Sequence, residues 1–319
     1  MLAAYAARFD PEDPLTGLEV GDLPSPEPRD GWSTIDVRAA SLNHHDLWSL
    51  RGVGLRADQL PMILGTDAAG VTADGREVVV HAVIGATGHG VGPTEGRTIL
   101  SERYPGTLAE QVAVPTWNLV DKPPALTFAE AACVPTAWLT AYRMLFTSAH
   151  VAPGDSVLVQ GVGGGVASAA IALAAATGLE VFATSRDAAK RGRALALGAT
   201  AAVEPGARLP HRVDAVIETV GAATWSHSVR SLRPGGTIVV AGATTGDANP
   251  AELQRIFFLE LSVVGATMGT RSDLEGVLSL MARTGLRPLI DTELPLADAA
   301  RGMARLASGG QLGKVVLRP

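Results

Sequence analysis

The stretch Val157-Leu158-Val159-Gln160-Gly161-Val162-Gly163-Gly164-Gly165-Val166-Ala167 decides the fold. An apolar run typical of a buried strand, Ser156 to Gln160, ends at a glycine cluster, and an Ala-rich helix is predicted from Val166 to Thr177. Glycine allows a phosphate to approach the backbone, and a helix N-terminus offers free N–H groups. This order of elements predicts a dinucleotide site, with a plain structural turn as the alternative.

Strands and helices alternate after this stretch. Asp187 can cap a helix that runs to Leu197, and Gly198 can end it. Further strands are predicted at Glu180 to Thr184, Val213 to Thr219, Thr237 to Ala241 and Ser262 to Ala266. Such alternation indicates a doubly wound parallel sheet, so the predicted fold class is α/β.

The N-terminal part of the chain has a different character, with short predicted strands separated by turns. The strands are predicted at Leu2 to Phe9, Ser33 to Ala39, Arg76 to Val83 and Thr107 to Pro115, with a Gly-rich loop from His81 to Thr107. A helix from Ser272 to Arg283 and a strand from Lys314 to Leu317 are predicted near the C-terminus.

The composition excludes several classes of protein. The 319 residues carry 26 Lys and Arg against 32 Asp and Glu, a net charge of −6, which argues against nucleic acid or an anionic membrane as partner. One cysteine cannot form an internal disulfide or supply a multi-cysteine metal site. With no signal-peptide pattern and no apolar run of spanning length, we expect a cytoplasmic protein that acts on a small molecule.

The residues after the second strand indicate the cofactor. The strict G-x-G-x-x-G spacing fails because its sixth position is Val166, whereas Gly161, Gly164 and Ala167 fit. An NAD site has an acidic residue about 20 positions after the glycines. Here Ser185 and Arg186 stand, with Lys190 one helical turn on, which favours the 2′-phosphate of NADP; the competing Asp187 is better explained as a helix cap.

Six further segments resemble the medium-chain dehydrogenases/reductases in the family's order. They are Gly106-Thr107-Leu108-Ala109-Glu110, Leu139-Thr140-Ala141-Tyr142, Pro153-Gly154-Asp155, Leu197-Gly198-Ala199, Leu232-Arg233-Pro234-Gly235-Gly236 and Gly313-Lys314-Val315-Val316-Leu317. The resemblance is closest to the zinc-independent, quinone-oxidoreductase-like branch. It implies a mostly β, GroES-like catalytic domain at 1–120, to which 270–319 return, and a Rossmann dinucleotide-binding domain at 121–269.

The resemblance also bears on zinc. The family's three catalytic ligand positions fall on Asn43, Thr66 and Thr136, none of which is a zinc-type residue. The segment from His81 to Arg103 contains no cysteine for the structural zinc lobe. Both sites are therefore expected to be absent.

A different metal site is also not expected. No H-x-x-x-H pair lies on a predicted helix among the residues that could contribute, which are His44, His45, Asp46, Asp67, His81 and His89. The two adjacent histidines are expected to line the pocket or to bond the backbone. Cys133 has apolar neighbours, which predicts a buried, unreactive thiol.

Without a strong Lewis acid, hydride transfer from NADPH to a quinone or activated alkene is the predicted reaction. In relatives, residues at the positions of Asn43 and Trp48 lie near the nicotinamide; Thr66 and Thr136 are the other pocket candidates. The alternative for Trp48 is ordinary core packing. The tyrosine proton donor of enoyl-thioester reductases would fall about at Gly54, which disfavours that activity; a quinone or small enone could still take its proton from water. Pocket shape is expected to depend on loops 52–61 and 85–104.

Most of the expected cofactor contacts lie in the glycine stretch and after the later strands. For the glycines the alternative is a purely structural role in a turn, and for Lys314 it is a solvated side chain. They are Thr140, Gly161, Gly163, Gly164, Gly165, Val166, Ser185, Arg186, Lys190, Val220, Gly221, Ala241, Gly242, Thr267, Met268 and Lys314. An exposed apolar edge strand invites pairing, and the resemblance implies that the strand near 261–266 pairs across a two-fold axis, so a homodimer is expected. A non-catalytic NADPH-binding or redox-sensing protein and a metal-dependent alcohol dehydrogenase are the other hypotheses.

Overall fold

The computed structural model describes residues 1–85, 97–247 and 250–319. The strands in this part of the chain are β1 (Leu2–Ala6), β2 (Leu18–Asp22), β3 (Trp32–Ser41), β4 (Met62–Ile63), β5 (Asp67–Thr72), β6 (Glu77–Val80), β7 (Val83–Ile84), β8 (Thr98–Ile99), β9 (Gln111–Pro115), β10 (Leu119–Asp121), β11 (Ser156–Val159), β12 (Glu180–Thr184), β13 (Ala201–Val203), β14 (Val213–Glu218), β15 (Leu232–Val240), β16 (Ser262–Gly265), β17 (Ile290–Pro295) and β18 (Lys314–Arg318).

The α-helices are α1 (His44–Leu50), α2 (Phe128–Ala132), α3 (Leu139–Tyr142), α4 (Gly165–Ala176), α5 (Ala188–Ala196), α6 (Trp225–Ser231), α7 (Leu253–Phe258), α8 (Arg271–Thr284) and α9 (Ala299–Ala307). Two π-helical turns, Val134–Trp138 and Arg143–Ser148, flank α3. Across the described residues, no helix is both long enough and apolar enough to cross a membrane.

The chain divides into two compact units. The first consists of Met1–Leu139 and Met268–Pro319, and the second of Thr140–Thr267. The boundary therefore lies later than the predicted break between 120 and 121, and 268–269 also belong to the first unit. The reason is tertiary packing: β10 pairs with β6, and α2 packs against β3 and β5, so this segment stays with the N-terminal sheet.

The second unit contains a six-stranded parallel sheet in the order β13-β12-β11-β14-β15-β16. Its central strands are buried runs such as Ser156–Val159, as expected for a sheet covered on both faces. The Ala-rich helix α4 packs on β11 and β12. This strand order and the alternation of strands and helices confirm the predicted doubly wound α/β fold, with β16 at one edge. The strand β15 begins at Leu232, five residues before its predicted start.

The first unit is mostly β-structure. Its largest sheet has the order β10-β6-β5-β3-β18-β17, and β9 also pairs with β3. In β3 the side chains of Ile35, Val37 and Ala39 are buried while Asp36 and Arg38 are exposed, the alternation expected of a strand with one face in a core. The C-terminal strand β18 pairs with β3, which places residue 314 beside the segment that leads into α1.

The segment from His81 to Thr107, predicted to be a loop, contains the short antiparallel pair β7 and β8. Residues 86–96 within it lie outside the described residues, and so does His89, one of the metal candidates. The predicted cap of α5 is confirmed, since the Asp187 carboxylate accepts hydrogen bonds from the backbone N–H groups of Ala189 and Lys190.

Candidate active site

The glycine loop of the second unit joins β11 to α4. Gly161 has φ +71° and Gly163 has φ +140°, a backbone region that favours glycine. A Cβ on Gly161 would also collide with the Val220 side chain in the loop after β14. The structure thus brings together two candidate segments that are distant in sequence, and it shows why position 161 has no side chain.

The start of α4 fits an anionic phosphate. A Cβ placed on Gly164, the residue before the helix, would meet no atom within 4 Å, so the approach to the first helical N–H groups is open. The Lys190 side chain lies against Gly163, where a Cβ would be 2.9 Å from the lysine Nζ. Helical N–H groups together with a nearby cation are the features that bind pyrophosphate, so these residues fit the predicted cofactor.

A buried carboxylate supports the loop after β14. Glu218 accepts hydrogen bonds from the backbone N–H groups of Val220 (2.8 Å) and Gly221 (3.1 Å). The Thr224 hydroxyl lies 2.9 Å from both carboxylate oxygens, and the Ser228 hydroxyl donates at 2.6 Å. These donors replace the water that burial removes and hold this loop in one conformation.

The same polar network reaches the glycine loop. Gln160 donates to the Ser228 hydroxyl at 3.0 Å and contacts His227 at 3.0 Å, and it accepts from Thr184 at 2.6 Å. Thr184 in turn accepts from the Gly161 backbone N–H at 3.2 Å. Sequence reasoning missed these supporting residues. Their signal was available, because Gln160 and Thr184 are polar groups at the ends of buried parallel strands.

The segment after β12 contains the residues predicted to recognise the 2′-phosphate. Ser185 is buried and accepts a hydrogen bond from the Asp187 N–H, whereas the Arg186 side chain is exposed. Arg191, which sequence reasoning did not select, donates to the carbonyls of Ser185 (2.8 Å) and Arg186 (3.1 Å). The Arg191 guanidinium therefore holds the backbone of this turn, while the Arg186 side chain is exposed.

The remaining cofactor candidates divide between the units. Thr140 is buried at the start of the second unit. Ala241 and Gly242 follow β15 and Thr267 follows β16, at the carboxyl end of the sheet where β11 and β12 also end. Met268 belongs to the first unit, with φ +50°. Their contacts with a cofactor remain predictions.

A buried polar cluster in the first unit brings together the three predicted pocket residues Asn43, Thr66 and Thr136; Asp67 and Lys314 complete it. The Asn43 Nδ2 lies 3.2 Å from the Thr66 Oγ1, and the two threonine hydroxyls are 2.9 Å apart. The Asn43 Nδ2 also donates to the Asp67 carboxylate at 2.9 Å. Residues 23 to 93 positions apart thus meet because β3, β5 and the first π-helical turn converge here.

The structure assigns Lys314 to this cluster. Its Nζ lies 3.1 Å from the Asp67 carboxylate, donates to the Leu42 carbonyl at 2.8 Å and donates to the Asn43 Oδ1. Lys314 is only 4% exposed, so it is not a solvated side chain. An ammonium has three N–H donors, and all three have protein acceptors here. The predicted contact between Lys314 and the cofactor is therefore not supported.

The three zinc-type positions do not fit zinc in this structure. Asn43, Thr66 and Thr136 present an amide and two hydroxyls, whereas zinc sites use thiolate, imidazole and carboxylate ligands. The amide oxygen of Asn43 could in principle bind a cation, but it already accepts a hydrogen bond from the Lys314 ammonium. A cation beside this oxygen opposes the binding of a second one.

Helix α1 carries the other residues of this region. Burial raises the pKa of Asp46 to about 6, and its carboxylate accepts from the backbone N–H groups of Asn43 (2.8 Å) and Gly65 (3.0 Å). Through these hydrogen bonds Asp46 connects the start of α1 to the segment before β5. Trp48 is 37% exposed with the Arg51 guanidinium 5.0 Å from its ring, so the core-packing alternative does not describe it. His44 is exposed on the same helix face.

The second histidine of α1 makes a side-chain pair. The His45 Nε2 lies 3.3 Å from the Glu102 carboxylate, and its Nδ1 lies 3.4 Å from the Ser101 hydroxyl. Glu102 also lies beside Gly54, where a Cβ would be 2.9 Å from the Glu102 Oε1. A side chain at position 54 would therefore have to displace Glu102.

Metal-type residues do not gather elsewhere in the described ranges, where no group of three or more His, Cys, Asp or Glu could hold an ion. His81 is buried with its Nε2 2.9 Å from the Gly269 carbonyl, and burial lowers its pKa. Cys133 is fully buried, as predicted, and burial raises the pKa of its thiol to about 12.

Comparison with known proteins supplies the family. The Alcohol dehydrogenase GroES-like domain matches residues 29–124, and the Zinc-binding dehydrogenase family matches residues 165–283. A solved structure described as an NAD-dependent alcohol dehydrogenase is 34% identical, with a TM-score of 0.90 and complete coverage of both chains.

Two curated relatives are similar over nearly their whole length. An acryloyl-coenzyme A reductase of Metallosphaera sedula is 29% identical, covering 94% of this chain and 96% of the relative. A quinone oxidoreductase of Pongo abelii is 28% identical, covering 93% and 92%. The two domain matches and these full-length similarities show that this chain belongs to the medium-chain dehydrogenase/reductase superfamily and is an oxidoreductase.

Proposed function

We propose that this protein is an NADPH-dependent, zinc-independent oxidoreductase that transfers a hydride to a quinone or an activated alkene. The observation that carries the proposal is the composition of the buried polar cluster. Asn43, Thr66 and Thr136 stand where metal-dependent relatives bind zinc, and they form a hydrogen-bonded series in which Asn43 also contacts Lys314. Acceptors that delocalise negative charge through conjugation need no metal for reduction.

In this proposal, residues of the second unit bind the cofactor. The open N-terminus of α4 and the Lys190 side chain would bind the pyrophosphate. Gln160 and Glu218 hold the two loops in a preformed shape through the network described above. When bound, the reduced nicotinamide supplies the hydride.

The preference for NADPH is supported by the turn after β12. Arg186 is exposed at this turn, and the neighbouring Ser185 is buried. An arginine accommodates a 2′-phosphate, whereas an NAD site would have a carboxylate for the ribose hydroxyl. Asp187, the nearest carboxylate, is used as the cap of α5.

Enoyl thioesters are a second candidate class of acceptor. The similarity to an acryloyl-coenzyme A reductase favours them. Position 54, where a tyrosine donor is expected in enoyl-thioester reductases of the family, is glycine, and Glu102 lies beside it. This departure is the reason to rank quinones and enones first.

A homodimer is part of the proposal. The edge strand β16 leaves Val263 46% exposed, and α7 exposes Phe257 and Phe258 nearby in sequence. An unpaired edge strand with apolar side chains can pair with a second copy. The proposal places the protein in the cytoplasm, which its single, buried cysteine supports.

The test is oxidation of NADPH and NADH by purified protein with a panel of quinones, enones and enoyl thioesters. We expect turnover with NADPH and at least one quinone or enone, and no loss of activity after treatment with a chelator. Inactivity with every acceptor would favour a non-catalytic NADPH-binding protein. One zinc per chain by elemental analysis, with activity that depends on it, would refute zinc independence.

A further inference from the structure

The buried polar cluster contains a chain of hydrogen bonds that links the charge of Lys314 to the partly exposed hydroxyl of Thr136. Lys314 donates to the Asn43 Oδ1. The Asn43 Nδ2 lies 3.2 Å from the Thr66 hydroxyl, which lies 2.9 Å from the Thr136 hydroxyl. Four side chains are thereby joined in series.

The charged groups at the start of this series of hydrogen bonds determine which group donates and which accepts in each bond. The Lys314 ammonium can only donate and the Asp67 carboxylate can only accept, so the Asn43 amide must turn its oxygen to Lys314 and its nitrogen to Asp67. One amide hydrogen goes to Asp67. The other has the Thr66 Oγ1 at 3.2 Å and the Ser41 carbonyl at 3.4 Å, so Thr66 is the nearer acceptor.

Thr66 then donates to Thr136. The Thr66 side chain is only 1% exposed, and its hydroxyl hydrogen needs an acceptor inside the protein. Once Asn43 has donated to it, the Thr136 oxygen is the remaining partner among the described residues. The opposite direction would leave the buried Thr66 hydrogen without an acceptor.

The Thr136 hydrogen is consequently directed away from the cluster. Thr136 is partly exposed, and in the described part of the chain its hydroxyl has no hydrogen-bond partner besides Thr66. It lies in the π-helical turn Val134–Trp138, where Pro135 lacks the N–H that a regular α-turn would use. Turns of this kind are frequent at functional sites.

We propose that the Thr136 hydroxyl donates a hydrogen bond to the carbonyl oxygen of the acceptor and stabilises the negative charge that develops there. In an enone or enoyl thioester the hydride forms a C–H bond at the β-carbon, the C=C π pair becomes the α-carbon–carbonyl double bond of an enolate, and the carbonyl oxygen takes the negative charge. A proton from water then adds to the α-carbon and restores the C=O bond. The nicotinamide is oxidised by two electrons and the alkene is reduced by two.

The series of donors strengthens this last hydrogen bond. Each donated bond polarises the next along a chain, and this one begins at a buried ammonium. Asp67 offsets the Lys314 charge, so the cluster is neutral overall before the substrate binds. A donor aimed at charge that appears only during the reaction stabilises the transition state more than the bound substrate.

The inference rests on the proposed function and is tested by Thr136→Val, which keeps the shape of the side chain but removes the hydroxyl. Thr136→Ser retains the donor. Thr284→Val, at the exposed end of α8, is the matched control. Steady-state kinetics use NADPH and the best acceptor from the panel, and melting temperatures establish that all variants are folded.

We expect Thr136→Val to lower kcat about tenfold to a hundredfold with KM little changed. Thr136→Ser should stay within about threefold of the wild type, and Thr284→Val should match it. Infrared difference spectra with bound cyclohexanone provide a second measurement. The C=O stretching frequency should be lower in the wild type and Thr136→Ser than in Thr136→Val, because only the hydroxyl polarises the carbonyl.

The outcomes separate the two proposals. A wild type that reduces none of the acceptors overturns the proposed function and this inference with it. An active wild type whose kcat and carbonyl frequency do not change in Thr136→Val overturns the inference alone. A rise in KM without a fall in kcat also contradicts it, since the hydroxyl would then bind the substrate and the transition state equally.

Discussion

The hydroxyl of Ser228 donates a 2.6 Å hydrogen bond to the carboxylate of Glu218, and both side chains are completely buried. Ser228 lies on α6 and Glu218 ends β14, so this bond attaches the helix to the carboxyl edge of the parallel sheet. Gln160 donates to the same hydroxyl and extends the connection to the glycine loop. The shape of the proposed cofactor site therefore depends on groups that need not touch the cofactor.

Glu218→Gln should destabilise the second unit and weaken cofactor binding. A glutamine has one acceptor oxygen, and its NH₂ group would face N–H and O–H donors that now lack a partner. We expect a loss of about 1–3 kcal/mol in the free energy of unfolding, measured in urea. NADPH affinity should fall as well when measured on the folded variant by calorimetry. Glu27→Gln, on an exposed residue, is the control; equal effects of the two substitutions would contradict the supporting role of the network.

Cofactor preference is expected to depend on Arg186. NADPH should raise the melting temperature of the wild type more than an equal concentration of NADH, because tighter ligands stabilise the folded state more. Arg186→Glu should reduce NADPH affinity by about tenfold or more through charge repulsion and leave NADH affinity nearly unchanged. Arg193→Glu makes the same charge change on an exposed position of α5. A larger shift with NADH in the wild type would exclude the proposed preference.

The buried ion pair between Lys314 and Asp67 gives a prediction for stability. Lys314→Met leaves the Asp67 carboxylate buried without a counter-ion, which should cost about 3–5 kcal/mol in the free energy of unfolding. The double variant Lys314→Met with Asp67→Asn removes that charge and should recover part of the loss. Urea unfolding measures both. If the double variant were no more stable than Lys314→Met, the unpaired charge would not be the cause.

The dimer proposal predicts that Val263→Arg yields a monomer. A charged side chain on the exposed edge strand β16 opposes pairing with a second copy. Val53→Arg introduces the same charge at an exposed position, 55% accessible, in the other unit and should leave the dimer intact. Light scattering coupled to size-exclusion chromatography gives the masses. A monomeric wild type would refute the proposed assembly.

Cys133 should resist alkylation in the native protein. Burial raises the pKa of its thiol to about 12, so the reactive thiolate is scarce at any pH well below that value. At about pH 8 iodoacetamide should modify one thiol per chain in denaturant and almost none without it. Mass spectrometry counts the modified cysteines. Rapid modification of the folded protein would show that the side chain is accessible.

Much of the fold could be predicted from local sequence. The buried runs, the glycine turn and the cap at Asp187 act over a few residues, so their elements appear nearly where predicted. The domain boundary could not be predicted from local sequence, because β10 pairs with a distant strand of the first unit and α2 packs against two others. Asn43, Thr66 and Thr136 were selected through the family resemblance, and nothing in their spacing indicated Lys314 as their partner.

The sequence by itself determined the kinds of chemistry available: a glycine loop before a helix, an arginine after the second strand and, through the family resemblance, no zinc-type ligand at three positions. The first two properties follow from residue type and short spacing. The tertiary structure alone decided which polar groups form hydrogen bonds with each other. Lys314 meets Asn43 only because β18 pairs with β3, and Glu218 meets Ser228 only because α6 packs on β14. Burial then requires each of these groups to find a partner, and that requirement sets the direction of the hydrogen bonds.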